Sequence, residues 1–165
     1  MTRTGIGYDI HPFEIGRPLV LGGVVIPHPQ NKGLAGHSDA DVLAHAVADA
    51  LLGAAGKRDI GVYFPNTDPS IKNISSLIIL QKVAEIIHSE GGKIINIDAT
   101  VIAEEPKITP YVESMCQALA LALNISITSV GVKATTNEGL GALGRGEGIA
   151  ALATASLFYV DSARS

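Results

Sequence analysis

Residues 94–104, Ile-Ile-Asn-Ile-Asp-Ala-Thr-Val-Ile-Ala-Glu, alternate cleanly between apolar and polar side chains. One face of this segment carries Ile95, Ile97, Ala99, Val101 and Ala103, and the other carries mostly Asn96, Asp98, Thr100 and Glu104. An apolar residue at every second position is typical of a strand with one buried side. We therefore predict a sheet that is covered on one face.

Four more strands are predicted around this segment. They cover residues 2–8, 19–26, 127–135 and 148–160. Pro12, Gly16 and Pro18 mark the loop between the first two strands, because proline and glycine interrupt regular structure.

Three helices are predicted from their termini. Ser38 is a good N-cap for a helix that ends at Gly56, and a second helix runs from about Ser75 to Glu90. A third begins at Thr109-Pro110, an N-cap followed by a proline at the first helical position, and ends near Asn124.

Strands interleaved with three helices predict the α+β class. The predicted architecture is a two-layer sandwich, a mixed sheet with helices on one face and ferredoxin-like elements. A single domain is predicted over residues 1–165, in which residues 57–73 are an ordered loop.

The composition restricts the class of protein. The chain has 165 residues, 47% apolar and 17% charged, which indicates one globular domain without disorder. The net charge of −4 argues against nucleic-acid binding, which needs a basic face. No apolar stretch is long enough to cross a bilayer and no signal-peptide pattern is seen, so no membrane partner is expected. Cys116 is the only cysteine, which excludes an internal disulfide and fits a reducing compartment.

Asp9, His11 and His45 form a candidate metal site. Asp9 and His11 are two residues apart on an extended segment, so their side chains leave the same side of it, and His45 lies on the first predicted helix. One carboxylate and two imidazoles can hold zinc while leaving a fourth position open for a substrate. Asp41 and Asp49 each lie four residues from His45 on the same helical face, and either could hold its second ring nitrogen. The alternative is that these are ordinary surface or packed side chains.

Further segments carry polar groups that suit phosphate chemistry. His37 and Ser38 precede a helix N-terminus, which attracts anions, although capping alone also explains Ser38. Residues 133–138, Lys-Ala-Thr-Thr-Asn-Glu, end a strand with oxygen groups that hard cations prefer. The glycine-rich stretch after them is not a Walker loop, because the order G-x-x-x-x-G-K-[ST] is absent. A loop such as residues 59–68 is, by itself, more often solvent-facing than a binding site.

Six motifs occur in the order and spacing of one enzyme family. They are Gly-Tyr-Asp-Ile-His (7–11), His-Ser-Asp-Ala-Asp-Val (37–42), Asp-Ile-Gly (59–61), Phe-Pro-Asn-Thr-Asp-Pro (64–69), Lys-Ala-Thr-Thr-Asn-Glu (133–138) and Gly-Arg-Gly-Glu-Gly-Ile-Ala (144–150). Over essentially its whole length, the chain resembles the 2-C-methyl-D-erythritol 2,4-cyclodiphosphate synthases of the non-mevalonate pathway of isoprenoid (terpenoid) biosynthesis.

The resemblance implies a phosphorus-oxygen lyase. Such an enzyme cyclises 4-diphosphocytidyl-2-C-methyl-D-erythritol 2-phosphate to 2-C-methyl-D-erythritol 2,4-cyclodiphosphate by metal-assisted intramolecular phosphoryl transfer, and it releases CMP. The resemblance also implies a homotrimer with active sites at the subunit interfaces. The implied location is the bacterial cytoplasm, or a plastid if this is a mature chain.

Matching the motifs position by position assigns roles to individual residues. The resemblance implies that Asp9, His11 and His45 bind Zn²⁺ and that Glu138, with the substrate phosphates, binds Mg²⁺ or Mn²⁺. It further implies that His37 and Thr136 stabilise the transition state. The cytidine pocket would be formed by residues 103–109. The implied substrate contacts are Asp9, Ile10, His11, His37, Ser38, Asp59, Ile60, Gly61, Phe64, Pro65, Asn66, Thr67, Asp68, Ala103, Glu104, Glu105, Pro106, Lys107, Ile108, Thr109, Thr135, Thr136, Asn137, Glu138 and Arg145.

Three positions depart from some relatives. Asn66 stands where an aspartate is frequent, and an amide can still donate or accept there, so activity is expected to be retained. Ala142 replaces a bulky aromatic residue and Leu152 a glutamate at the central cavity of the trimer, which holds isoprenoid diphosphates in relatives. An isoprenoid diphosphate in this cavity is therefore an open alternative for this chain.

Two other functions stay open at this point. One is a metal-stabilised trimer that binds cytidine nucleotides without turnover, and the other is a metal-dependent phosphohydrolase. The first would be expected to lack Glu138 or Thr136, and both residues are present. The second would need a base that activates water near the metal.

Overall fold

A five-stranded mixed sheet forms one layer of the fold in the computed structural model, which describes residues 1–65 and 67–160. Its strands are β1 (Thr2–Ile15), β4 (Lys32–Leu34), β5 (Gly92–Ile102), β6 (Val130–Thr135) and β7 (Gly148–Tyr159). Their order is β4-β1-β7-β5-β6, with β5 and β6 parallel and the other neighbours antiparallel. A separate hairpin is formed by β2 (Leu19–Leu21) and β3 (Val24–Ile26).

Three long helices form the second layer and cover one face of the sheet. They are α1 (Val42–Ala54), α3 (Ser76–Ser89) and α4 (Val112–Leu123). Shorter turns complete the chain: α2 (Ile60–Tyr63), α5 (Gly141–Gly144) and 3₁₀ turns at Pro69–Ile71, Thr109–Tyr111 and Ile127–Ser129. The core lies between the two layers, and the predicted α+β fold with a mixed sheet and helices on one face is confirmed.

Helix α1 packs with its backbone directly against β1. A Cβ atom on Gly7 would lie 1.9 Å from the carbonyl oxygen of Ala46, and one on Gly5 would lie 2.2 Å from that of Ala50. Only glycine therefore fits at these two strand positions. This close approach holds His45, the neighbour of Ala46, above the strand that carries Asp9.

The predicted strand over residues 19–26 is wrong, because the chain reverses in its middle. Gly22 and Gly23 have φ values of 56° and 75°, which glycine adopts without a steric penalty and which suit a two-residue hairpin turn. The Asp41 carboxylate accepts hydrogen bonds from both of their backbone amides, at 2.9 and 2.7 Å. The first predicted strand, residues 2–8, is too short, since β1 continues to Ile15.

The alternation predicted for residues 94–104 holds only after a bulge. The register of β5 against β7 shifts between Ile94 and Asn96. As a result Ile94 is buried, with 3% of its surface exposed, whereas Ile95 is 41% exposed. From Ile97 to Ala103 the buried face is the predicted one.

Several predicted boundaries also change. The N-cap of α1 is Asp41, whose carboxylate accepts from the Ala44 amide, and not Ser38. Thr109-Pro110 begins a 3₁₀ turn that precedes α4, and β6 starts at Val130 because residues 127–129 form another such turn. The predicted second helix and last strand agree with α3 and β7 to within one residue at each end.

The face of the sheet opposite the helices remains exposed and partly apolar. Ile6, Tyr8, Ile10 and Leu152 are exposed there, with Ile6 at 66%. In the part of the chain that the structure describes, no helix combines the length and apolar character needed to span a membrane.

Candidate active site

A cleft of about 280 Å³ opens where β1 meets the N-terminal half of α1. It brings together predicted residues from four separate motifs. Its lining residues are Asp9, His11, Gly36, His37, Ser38, His45, Asp49, Ile60, Gly61, Phe64 and Ile79.

Asp9, His11 and His45 converge on one wall of this cleft. The Asp9 Oδ2 atom lies 3.0 Å from His11 Nε2 and 3.0 Å from His45 Nδ1. One ligand atom from each residue lies within 4.8 Å of the others, and all three side chains are half-buried. The predicted i, i+2 arrangement on β1 and the helical position of His45 thus produce one cluster.

Contacts within the cluster shift the pKa values of Asp9 and His11. Burial raises the pKa of Asp9, but hydrogen bonds and charge from His11 and His45 outweigh it, so the net pKa of Asp9 lies below its usual value. The hydrogen bond to Asp9 raises the pKa of His11 against the opposing effect of burial. The carboxylate form of Asp9, which a metal requires, is therefore favoured.

Both imidazole rings are oriented by their second nitrogen. His11 Nδ1 lies 2.6 Å from the Ala35 carbonyl oxygen, to which it donates, so Nε2 faces the cluster and is the nitrogen available to a metal. His45 Nε2 lies 2.9 Å from Ser76 Oγ and 3.2 Å from Ser38 Oγ, so its Nδ1 faces Asp9.

The two aspartates predicted to orient His45 accept hydrogen bonds from backbone amides instead. Asp41 is wholly buried and caps α1, and burial raises its pKa to about 6. Asp49 accepts a hydrogen bond from the Ile60 amide at 2.8 Å and forms part of the cleft wall, where burial raises its pKa. Asp49 is a cleft carboxylate that was not predicted to contact a ligand. Its position four residues after His45 was the signal for it.

The donor set fits a zinc ion. Zinc accepts carboxylate oxygen and imidazole nitrogen ligands, and a three-residue set leaves one position open in a catalytic site. The two ring nitrogens that face Asp9 belong to rings whose other nitrogen is already hydrogen-bonded, as metal-binding histidines usually are.

The loop that carries His37 is clamped from outside the cleft. The Arg17 guanidinium donates to the carbonyl oxygens of Gly36 and Ser38, both at 2.8 Å. Among the residues that the structure describes, the buried Nε2 atom of His37 has no hydrogen-bond partner. His37 therefore presents an unsatisfied polar atom from a fixed backbone. Ser38, predicted to contact substrate, accepts from the Ala40 amide at 3.2 Å.

A second cluster of predicted residues lies at the ends of β5 and β6. Thr136 Oγ1 lies 3.3 Å from Glu138 Oε1, and Glu138 has φ = 52°. The Glu104 carboxylate accepts from the Asn137 amide at 2.8 Å and so joins residues 103–109 to residues 135–138. Glu104, predicted to contact cytidine, thus holds the neighbouring loop.

The two clusters lie at the same end of the sheet but on different strands. Ile10, Ala150, Ile102 and Thr135 form one row across β1, β7, β5 and β6. With strands about 4.8 Å apart, three spacings separate Ile10 on β1 from Thr135, the last residue of β6, by about 14 Å. The candidate metal cluster and Glu138 of one chain are therefore not neighbours.

The remaining predicted residues lie outside the cleft. Asp59, Pro65 and Thr67 are exposed, and the Asp68 carboxylate accepts from the Ser70 amide at 2.9 Å. Asn66 lies outside the described residues. Arg145 is paired with Glu147 at 2.6 Å, beside a separate cavity of about 340 Å³. That cavity is lined by Phe13, His28, Gln30, Lys32, Glu104, Glu105, Gly144, Arg145 and Gly146.

Comparison with known proteins identifies the family. The model of the YgbB family matches residues 2–158. The 2-C-methyl-D-erythritol 2,4-cyclodiphosphate synthase of Akkermansia muciniphila is 62% identical over 159 residues, which cover 96% of this chain and 93% of that protein. The protein of the same name from Desulfatibacillum aliphaticivorans is 57% identical over 155 residues, 94% of this chain and 99% of its own length.

The chain belongs to the 2-C-methyl-D-erythritol 2,4-cyclodiphosphate synthase family.

Solved structures of synthase family members share the fold. A CDP complex of Plasmodium falciparum IspF has a TM-score of 0.83 at 34% identity and covers 97% of both chains. A further synthase, in a CDP-bound form, has a TM-score of 0.85 at 33% identity and covers 94% of this chain and all of its own. The bifunctional IspDF of Campylobacter jejuni has a TM-score of 0.92 at 43% identity, and the match covers 98% of this chain but 43% of the bifunctional one. The family predicted from the six motifs is thus confirmed.

Proposed function

We propose that this chain cyclises 4-diphosphocytidyl-2-C-methyl-D-erythritol 2-phosphate to 2-C-methyl-D-erythritol 2,4-cyclodiphosphate and releases CMP, as a phosphorus-oxygen lyase. The observation that carries the proposal is the convergence of Asp9, His11 and His45, with oriented rings, beside His37 Nε2, which has no hydrogen-bond partner among the described residues. Family membership is the basis for the proposed reaction, and the cleft is the proposed binding site for an anionic group of the substrate.

Asp9, His11 and His45 are proposed to hold Zn²⁺. When bound, zinc supplies a positive charge and Lewis acidity at a phosphate oxygen. The protein contributes the fixed geometry: Ala35 orients one ring, Ser76 orients the other, and Asp9 stays ionised. Glu138, with the substrate phosphates, is proposed to hold Mg²⁺ or Mn²⁺, because hard cations prefer oxygen ligands.

His37 and Thr136 are proposed to donate to the oxygens of the phosphoryl group during transfer. For His37, the support is its buried Nε2 atom and the Arg17 clamp on both flanking carbonyls, which removes reorganisation at the moment of reaction. No base is required from the protein, since a phosphate dianion is already a nucleophile. The main task is to bring that phosphate and the diphosphate of the same molecule into line.

Residues 103–109 are proposed to bind the cytidine part of the substrate. Two family members were solved with CDP. In this chain the Glu104–Asn137 hydrogen bond ties the segment to Thr136 and Glu138, so cytidine and the second cation would be held by one unit. The other contacts implied by the motifs, including Arg145 and residues 59–68, belong to the same proposal.

A homotrimer is proposed because one copy leaves the site incomplete. About 14 Å separates Ile10 on β1 from Thr135 on β6 across the sheet, so the Asp9–His11–His45 cluster and Glu138 of one chain do not form one site. The exposed apolar residues Ile6, Tyr8, Ile10 and Leu152 offer a surface for association between copies. An Ile6→Asp variant should dissociate the assembly in light scattering and lose turnover, whereas a variant that stays trimeric would contradict this interface.

The reaction is tested directly by phosphorus NMR of the products. The purified protein with Zn²⁺ and Mg²⁺ should convert the substrate to CMP and a cyclic diphosphate. Inorganic phosphate as product would overturn the synthase in favour of a phosphohydrolase, and binding of CDP without turnover would favour the nucleotide-binding alternative. A reducing compartment such as the bacterial cytoplasm is proposed from the free thiol of Cys116, since disulfides are rare there.

The assignment of the metal ligands is tested by His45→Ala, with His88→Ala as the matched control on an exposed position of α3. His45→Ala should lose bound zinc and turnover together, and the control should keep both. Normal turnover by zinc-free His45→Ala protein would refute the role of the cluster.

A further inference from the structure

A buried serine connects the metal cluster to a carboxylate on its far side. Ser76 is the first residue of α3 and is 0% exposed. Its Oγ atom lies 2.9 Å from His45 Nε2 and 2.5 Å from Asp39 Oδ1. The Ser76 amide donates to the other oxygen of the same carboxylate at 2.9 Å. The six motifs assign no role to any of these contacts.

The direction of this chain of hydrogen bonds follows from the groups available. A hydroxyl has one proton to donate and a carboxylate has only acceptors. Asp39 therefore takes the Ser76 proton, and the lone pairs of Ser76 Oγ are left for His45. An acceptor at that place requires a proton on His45 Nε2. The other ring nitrogen, Nδ1, lies 3.0 Å from the Asp9 carboxylate, which attracts a proton to Nδ1 when no metal ion is bound.

We propose that Asp39 and Ser76 are positioning residues that hold a proton on His45 Nε2, so that Nδ1 is the nitrogen that gives its lone pair to a metal. The inference rests on the metal-binding part of the proposed function. Metal-binding histidines generally depend on such a partner for both tautomer and ring angle, and its loss costs about 10–100-fold in metal affinity.

Ser38 is a weaker partner for the same nitrogen. Its Oγ atom lies at 3.2 Å, and no carboxylate fixes the direction of its hydroxyl among the contacts described. Ser38 therefore contributes to the position of His45 without determining its tautomer.

The variant Asp39→Asn tests the direction of the chain while preserving side-chain size. The Ser76 amide is the nearer of two backbone donors to the Asp39 carboxylate, at 2.9 Å against 3.2 Å for the Asp41 amide, so the Asn oxygen should turn towards Ser76 and the side-chain amide group should donate to Ser76 Oγ. The Ser76 hydroxyl would then donate to His45 Nε2, which leaves the ring proton on Nδ1, where Asp9 accepts it. A second variant, Ser76→Ala, removes the hydroxyl altogether. Ser75→Ala is the matched control, because Ser75 caps the same helix without a side-chain hydrogen bond.

Two measurements are made on each protein. Long-range proton–nitrogen NMR of the metal-free protein at about pH 8 reports whether His45 Nε2 carries a proton. Competition with a chelating dye reports the zinc dissociation constant. We expect a protonated Nε2 in the wild type and Ser75→Ala and an unprotonated Nε2 in Asp39→Asn. Zinc binding should be weakened about 10–100-fold in both test variants.

The inference would be overturned if both test variants matched Ser75→Ala in zinc affinity and in the protonation of His45 Nε2. If Ser76→Ala unfolds, as judged by circular dichroism, Asp39→Asn decides the question alone. A wild type with a protonated Nε2 that binds no zinc would instead refute the metal site of the proposed function and leave the role of Asp39 and Ser76 intact.

Discussion

Replacement of Gly7 by alanine should damage both the fold and the metal cluster. The new Cβ atom would lie 1.9 Å from the Ala46 carbonyl oxygen and 2.7 Å from the Ala50 amide nitrogen, whereas ordinary contact begins at 3.4 Å. Both neighbours are backbone atoms, so no side-chain rotation relieves the clash. Helix α1 must move away from β1 by about 1.5 Å, or the strand must bend by as much.

The expected cost lies at the upper end of the range for overpacking, about 3 kcal/mol. For a chain of this size that corresponds to a fall in Tm of about 6–12 °C. The same movement would separate His45, the neighbour of Ala46, from Asp9, with which it is in contact at 3.0 Å. Because metal–ligand distances tolerate only about 0.2 Å, zinc affinity should fall as well.

Gly53→Ala is the control for this prediction. Gly53 lies on the same helix, and the nearest atoms to its added Cβ would be 3.8 Å away. Alanine there should be neutral or stabilising by up to about 1 kcal/mol, because glycine is a poor helix former. Thermal melts followed by circular dichroism and a zinc competition assay measure both effects. Equal Tm values for Gly7→Ala and Gly53→Ala would refute the packing argument.

Three further outcomes are expected. Arg17→Lys should lower turnover about tenfold with zinc content unchanged, because a lysine cannot bind the Gly36 and Ser38 carbonyls together. Unaltered single-turnover rates would contradict this expectation. Asp41→Asn should be less stable than the wild type in urea at every pH, since its amide cannot accept from both glycine turn amides. The difference in unfolding free energy between the wild type and Asp41→Asn should grow by about 1 kcal/mol from pH 7 to pH 5. The reason is that burial raises the Asp41 pKa to about 6, so the folded wild type takes up a proton in this range and the variant does not. A difference that stays constant with pH would exclude this titration. Glu138→Gln should raise the Mg²⁺ or Mn²⁺ concentration for half-maximal turnover about tenfold or more while zinc stays bound, and identical metal titrations would remove Glu138 from the second site.

Much of the site was accessible from the sequence because its signals are local. Asp9 and His11 share a face of β1 through strand periodicity alone, and the helical pattern around His45 placed it on α1. Glycines at helix ends were equally informative, as Gly91 with φ = 75° follows α3. These features depend on neighbours within a few residues.

The features that were missed depend on contacts between distant residues. The Gly22-Gly23 turn is held by Asp41, which is 18 or 19 residues away along the chain. The nearer partner of His45 Nε2 is Ser76, which is 31 residues away along the chain. No spacing rule distinguishes Ser76 from Asp41 or Asp49 as that partner. The bulge at Ile95 is similar, since only its pairing with β7 reveals which of two adjacent isoleucines is buried.

The hydrogen bond between Glu104 and Asn137 has a consequence for protein engineering. It joins two loops that are 33 residues apart in the chain into one piece of structure. A chimera that imports one of these loops from a relative without the other would leave the Asn137 amide without its acceptor. Transplanting residues 103–109 and 135–138 together should preserve the shape of both, so they form a natural unit for exchange between homologues, and this unit contains the proposed cytidine-binding segment.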